Sequence, residues 1–237
     1  MGMFDWLKKK SASKEAEAFP VHESVTQSQI DRKKRSIATL KSGGIPVLNT
    51  LPFIEDEAEV TFRSLKELSN RMYALAAVSD KGCGAPEDIV EKIIQEFSVD
   101  SFTPAEQNFI DDPEPSYHQR VQFAWRSEAL YVLTWALGYV DELPYPDEAQ
   151  TSKDIWEPFA RLKREEFEAN AKLRTASELL DEADLIYRYH WAVTDARLNG
   201  RPMPGSLNQS VVLERQYALN WLVGYMGQSW DDVSTDT

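Results

Sequence analysis

The chain has 237 residues, 42% of them hydrophobic and 11% aromatic, with a formal net charge of −13 and a single cysteine, Cys83. That apolar content excludes wholesale disorder, and a chain of this length buries on the order of 70% of its unfolded surface. The acidic balance argues against broad nucleic-acid binding, and one cysteine excludes an internal disulfide, which fits a reducing cytosol.

Residues 1–25 read as a flexible tail. Met3-Phe-Asp-Trp-Leu7 followed by Lys8-Lys9-Lys10 forms an aromatic and basic cluster. On one reading Phe4, Trp6 and Leu7 insert weakly at a membrane surface or a partner while Lys8, Lys9 and Lys10 face anionic groups; on the other, the lysines solvate a mobile end. No secretory leader is evident, Trp6 stands where a myristoylation signal needs Ser or Thr, and no apolar run approaches the roughly 18 to 20 residues of a transmembrane segment. The expected location is the cytoplasm.

Residues 26–237 read as an all-α, multi-helix domain with proline-rich connecting loops. The first helix spans Thr26 to Ser42, capped by Thr26 or Ser28, with Ile30, Ile37 and Leu40 as its buried edge and Gly43-Gly44 as its stop. Within it, Arg32-Lys33-Lys34-Arg35 reads as a solvated helix face. Ile45 to Phe62 carries Pro46 and Pro52 and reads as an extended surface loop. Ser64-Leu-Lys-Glu67 is a capping box opening a helix with Leu65, Leu68, Met72, Leu75 and Ala76 at helical spacing, closed by Gly82-Cys83-Gly84. Pro86 fits the first turn of the next helix, and Thr103-Pro-Ala-Glu106 opens another.

Tyr117 to Tyr139 is the most apolar long segment and is expected to be central, so Arg126 and Glu128 on it need either solvent or a partner. Beyond Pro144 and Pro146, Thr151 to Phe167 reads as a charged helical tract that Pro158 starts or kinks. Thr175-Ala-Ser-Glu178 is a third capping box and leads into Ala183 to Arg197, the stretch densest in reactive side chains. Ser210 begins the last helix. Seven tryptophans, five in helical segments, are expected to fill much of the core. No repeat and no convincing alternating strand is present.

Familiar catalytic signatures are missing: no glycine-rich phosphate loop, Gly-x-Ser-x-Gly, His-Glu-x-x-His or Cys-x-x-Cys. Cys83 has no histidine near it in sequence and reads as a loop thiol. On a helix Asp184, Arg188, Trp191 and Asp195 share a stripe, with Tyr187 and His190 beside it. His190 is displaced by roughly 120° from Asp184 and about 140° from Asp195, a poor arrangement for chelation. Neither a metal nor another cofactor is expected.

Asp184 and Arg188 form an i,i+4 pair, Asp195 lies seven residues beyond Arg188, and His190 with Glu128, Glu214 and Arg215 from neighbouring helices completes the candidate set. These groups either fix the register of tryptophan-rich helices or line a polar cleft walled by the helices around 117–139, 176–199 and 210–225. The first reading makes the chain a non-enzymatic module that binds a protein partner; the alternative is a small-ligand binder or an enzyme using that cleft.

Trp125-x-x-Glu128, Leu133-Thr-Trp-Ala-Leu-Gly138 and Asp141-Glu-Leu143 resemble the middle signature of the domain of unknown function 4272 (DUF 4272) family. Asp184-x-x-Tyr187-x-x-His190-Trp-Ala192, Glu214-Arg215, Ala218-Leu-Asn-Trp221, Trp230-Asp-Asp-Val233 and Thr235-Asp-Thr237 extend the similarity, as does Arg32 to Pro52. The resemblance covers about residues 28–237. It implies a soluble, mainly bacterial protein and supplies no catalytic residues.

Overall fold

The computed structural model describes residues 19, 21–158 and 162–237. Among them are nine α-helices and no strand: α1 (Gln27–Ser42), α2 (Leu65–Gly82), α3 (Glu87–Glu96), α4 (Pro104–Asp111), α5 (Tyr117–Ala136), α6 (Ser152–Trp156), α7 (Arg164–Asn170), α8 (Ala176–Leu198) and α9 (Gln209–Leu222). The protein is all-α. No helix among the described residues is long and apolar enough to cross a membrane. The candidate attachment residues Phe4, Trp6, Leu7, Lys8, Lys9 and Lys10 lie outside the described residues.

Helix starts are written locally. The three capping boxes read from the sequence form at α2, α4 and α8. Three more form at Thr26/Gln29, Ser116/Gln119 and Thr151/Asp154, opening α1, α5 and α6. Each satisfies two backbone donors that a helix leaves orphaned. Hydrogen bonds from Ser64 and Thr175 hold the Glu67 and Glu178 carboxyls below their usual range. At α9 the Asn208 side chain accepts from the Ser210 and Val211 amides, so Asn208, not Ser210, caps this helix. The charged tract after Thr151 is likewise two helices instead of one. Pro158 cannot supply a helical N–H, and α6 stops at Trp156 with Glu157 and Pro158 in a turn.

The helices pack as a chain of neighbours, with α1 on α8, α8 on α9, α9 on α5, α5 on α2 and α2 on α3. Leu68, Met72 and Leu75 of α2, Leu130 and Leu133 of α5, Leu180 and Ile186 of α8, and Leu219 and Leu222 of α9 are buried in a common core. Tryptophans fill less of it than expected. Trp135, Trp221 and Trp230 are buried, whereas Trp125, Trp156 and Trp191 are half-buried, with the Trp156 indole donating to Asp80 at 3.0 Å. The α2–α5 contact is tightest at Gly82, where a Cβ would lie 2.4 Å from the Ala124 nitrogen and 2.8 Å from the Arg120 oxygen. Gly224, in the left-handed region at φ +72°, ends α9 and lets the chain pass the Thr61 carbonyl, which a Cβ would meet at 2.5 Å.

The basic run on α1 is not a single solvated face. Successive residues turn by about 100°, so four consecutive side chains cannot all share one side. Lys34 and Arg35 are exposed, but Arg32 and Lys33 are buried. Lys33 Nζ donates to the Asn49 and Leu51 carbonyls at 2.9 and 2.6 Å and sits 4.4 Å from the ring centres of both Phe19 and Phe53. Arg32 Nε reaches Asp181 of α8 at 3.2 Å. The loop after α1 is therefore folded down onto this helix, and Phe19, from the stretch read as tail, packs edge-on against Phe53 at 5.3 Å.

Two outcomes are expected. Gly82→Ala forces α2 and α5 apart and should cost about 1–3 kcal/mol, read by chemical denaturation. Burial, with Arg188 nearby, lowers the Lys33 pKa from 10.5 to about 8. Between those values the unfolded chain holds more protons than the folded one, so this group makes stability rise with pH upward from about 8, until tyrosines begin to titrate near pH 10. Lys33→Met should flatten that rise in urea titrations across pH 8 to 9.5.

Candidate functional site

Two consecutive residues of α9 meet α5 through opposite charges. Arg215 Nε donates to Glu128 at 3.2 Å with both side chains sealed from solvent, and Arg126 Nη1 donates to Glu214 at 3.1 Å at the edge of a groove. Glu128 also accepts from the Gln150 amide, while Arg215 Nη1 donates to the Pro144 carbonyl at 2.5 Å. The proline-rich turn that follows α5 is thereby tied to the pair. Burial raises the Glu214 pKa above the usual carboxylate range, Arg126 opposing the shift and Glu128 adding to it. The Arg126 guanidinium lies 4.1 Å from the Tyr217 ring centre and 5.7 Å from that of Trp230.

The groove beside this pair has a volume of about 760 Å³ and runs between α5 and α9, flanked by Ala105 and Asn108 of α4 and by the C-terminal residues Asp231, Val233 and Thr235. His118, Val121, Gln122 and Trp125 recur at helical spacing along α5, and Ser210, Leu213, Glu214 and Tyr217 along α9. Val121 and Leu213 are each 36% exposed, a level at which an apolar side chain is open to a partner. Its lining mixes apolar and aromatic side chains (Val121, Phe123, Trp125, Leu213, Tyr217) with the charged Arg126, Glu214 and Asp231 and with neutral polar groups such as Gln119 and Gln122.

The remaining candidates lie elsewhere. Arg188 donates to both Asp184 oxygens, at 2.8 and 2.7 Å, and this pair is fully buried in α8. Asp195 does not join it. Being half-buried near the end of α8, Asp195 accepts from Asn199 at 2.9 Å and pairs with Arg201 instead. His190 is buried with its ring nitrogens 3.1 Å from Thr237 Oγ1 and 3.5 Å from Thr194 Oγ1. Among the described residues, α9 gives one face to α5 in the groove and another to α8 in a smaller space lined by Ala183 and Tyr187.

Among the described residues no group of three His, Cys, Asp or Glu side chains is placed to hold a metal ion. Cys83 is exposed, and partial burial together with Asp80 pushes its pKa up, opposite to the activation of a nucleophilic thiol. A further buried pair, Arg71 of α2 with Glu106 of α4, had no signal in the sequence, since each residue looks like an ordinary helix charge.

Removing one member of the sealed pair leaves its partner charged and dry. Arg215→Ala should therefore cost roughly 3–5 kcal/mol, and the Glu128→Leu/Arg215→Met double variant should recover most of it. Two groups on α8 give opposing pH dependences. Burial lowers the His190 pKa to about 4, so its contribution to stability is present above 6.5 and lost as pH falls towards 4. Burial raises the Glu182 pKa from 4.5 to about 7, so its contribution is present below 4.5 and lost as pH rises through 7. In thermal melts between pH 7 and 4.5, His190→Gln should leave a protein that gains stability on acidification, and Glu182→Gln one that loses it.

The family model described as Domain of unknown function (DUF4272) matches residues 32–233, from the buried Arg32 of α1 to Val233 at the edge of the groove. No curated protein and no solved structure matches the chain. The matched span takes in α2 to α9 entirely, with both charged pairs that join α5 to α9, and on that span the chain belongs to the DUF4272 family.

Proposed function

We propose that this DUF4272 protein is a non-enzymatic docking domain and that its contact surface is the groove between α5 and α9. The observation that carries this reading is the set of apolar side chains facing one space, Val121 and Trp125 on one wall and Leu213 on the other, beside the Arg126–Glu214 pair. A helix turn rises about 5.4 Å, so the lining, which runs two turns on each wall from His118 to Trp125 and from Ser210 to Tyr217, presents roughly 10 Å of contact. That length accommodates two or three anchor residues of a partner segment, as in helix-in-groove recognition. Arg126 and Glu214 are already paired with each other, so they offer hydrogen-bonding edges without a net charge to satisfy. Asp231 adds a negative group at the side, which favours a segment with basic residues next to its apolar anchors.

Panning a random peptide display library against the full chain tests this. Enriched peptides should combine apolar anchors with flanking Lys or Arg. Leu213→Glu should weaken their binding at least tenfold while leaving the melting temperature within experimental error, since Leu213 is a surface residue. Failure to enrich any peptide, or enriched peptides indifferent to Leu213→Glu, would overturn the reading.

A further inference from the structure

A second concavity uses a different face of α9. It lies between α8 and α9, has a volume of about 180 Å³, and is covered by the loop segment 52–55 and by Tyr225 and Asp236. Ala183 and Tyr187, one turn apart, form its α8 wall; Gln216, Asn220 and Val223, at i, i+4 and i+7, form its α9 wall. None of its lining residues belongs to the α5–α9 groove.

Gln216 is the unusual member. It is 1% exposed, yet among the described residues its carboxamide oxygen has no hydrogen-bond partner. Buried amides in folded proteins are nearly always paired, so an unpaired one at the base of a pocket marks a place for a complementary group. Its neighbours do not supply that group. Asn220 donates its own amide N–H to the Ser234 carbonyl at 2.8 Å, and Arg188, whose Nε and Nη2 are on Asp184 and whose Nη2 also reaches the Pro52 carbonyl at 3.4 Å, is not among the residues that line the space.

The walls define what fits. Phe53, Tyr187 and Tyr225 contribute rings, Glu55 and Asp236 contribute negative charge, and no cationic side chain lines the space. An anion is therefore disfavoured. At about 30 Å³ per water, the volume equals that of about six waters, which suits a one-ring molecule. A primary carboxamide presents one acceptor and two donors side by side, so its best complement is another edge carrying donor and acceptor together. Rotation about the last side-chain bond exchanges oxygen and nitrogen at the pocket floor, so either orientation of that edge can be met.

We propose that the pocket between α8 and α9 binds a small, uncharged, planar ring compound through an amide-type donor–acceptor edge paired with Gln216. Aromatic carboxamides and pyrimidine bases share this chemistry. This site is independent of the docking groove.

The test titrates the full chain with benzamide, nicotinamide, cytosine and, as an isosteric anion, benzoate, each up to about 10 mM, followed by protein-observed NMR. At least one of the three amide-edge probes should give saturable shifts around Tyr187, Asn220 and Val223, with benzoate at least tenfold weaker than benzamide. Preference for nicotinamide and benzamide assigns the aromatic amide source, and preference for cytosine the base. Gln216→Leu should weaken binding at least tenfold with a melting temperature equal to or above that of the parent. Gln216→Glu, which keeps an acceptor and adds charge, should exchange benzamide for benzamidine, and this second variant keeps the test decisive if the first does not fold. Leu213→Glu should leave these titrations unchanged. Absence of saturable binding by all three amide-edge probes, benzoate binding as well as benzamide, or undiminished binding of the amide-edge probes by either folded Gln216 variant would overturn the proposal.

Discussion

The position of α9 depends on a crossed pair of charges. Glu214 and Arg215, adjacent on α9, face Arg126 and Glu128 of α5, each acid against a base. Sliding α9 along α5 by one residue brings Glu214 towards Glu128, whose charge already opposes the ionisation of Glu214 where it stands. Hydrophobic contact alone is non-directional and tolerates such a slide. Opposite charges in a dry interface do not, because an unpaired charge there costs several kcal/mol. The same interface that fixes α9 against α5 fixes its other faces, which wall the two concavities.

Three buried pairs, Arg71–Glu106, Arg188–Asp184 and Arg215–Glu128, sit beside a core of aliphatic and aromatic side chains. None is fully satisfied: Arg71 Nε, Arg188 Nη1 and Arg215 Nη2 have no partner. Isolated apolar replacements of such pairs are often as stable or more stable, so their contribution is better described as selecting one packing than as holding it together. Lys33 solves the same problem differently. With no carboxylate in contact, its ammonium is held by two loop carbonyls and two phenyl rings, and its lowered pKa reflects the burial that remains uncompensated.

What was legible in the sequence was local. Helix starts at Ser64, Thr103 and Thr175 could be read because a capping box is complete within four residues. The central place of α5 followed from its apolar faces. The burial of Arg32 and Lys33 was not legible, because the groups that desolvate them come from a loop and from α8 rather than from α1. Asp195 was misplaced for a related reason: its spacing to Arg188 is suitable, but Arg201 and Asn199, just beyond the helix end, reach it first. Gln216 went unnoticed since a neutral amide on an apolar helix face carries no pattern; only its missing partner sets it apart.

The capping boxes also bear on the order in which this chain folds. Each lets a helix begin from its own four residues, reducing the penalty of the first turn before any distant contact exists. At α4, however, the Glu106 carboxylate that accepts from the Thr103 amide is the one that Arg71 of α2 meets in the dry interior. A helix can thus nucleate around a charge that must later lose its water. Secondary structure in this protein should appear early and docking late, with the rate set by stripping solvent from arginine and glutamate side chains more than by the search for helix boundaries.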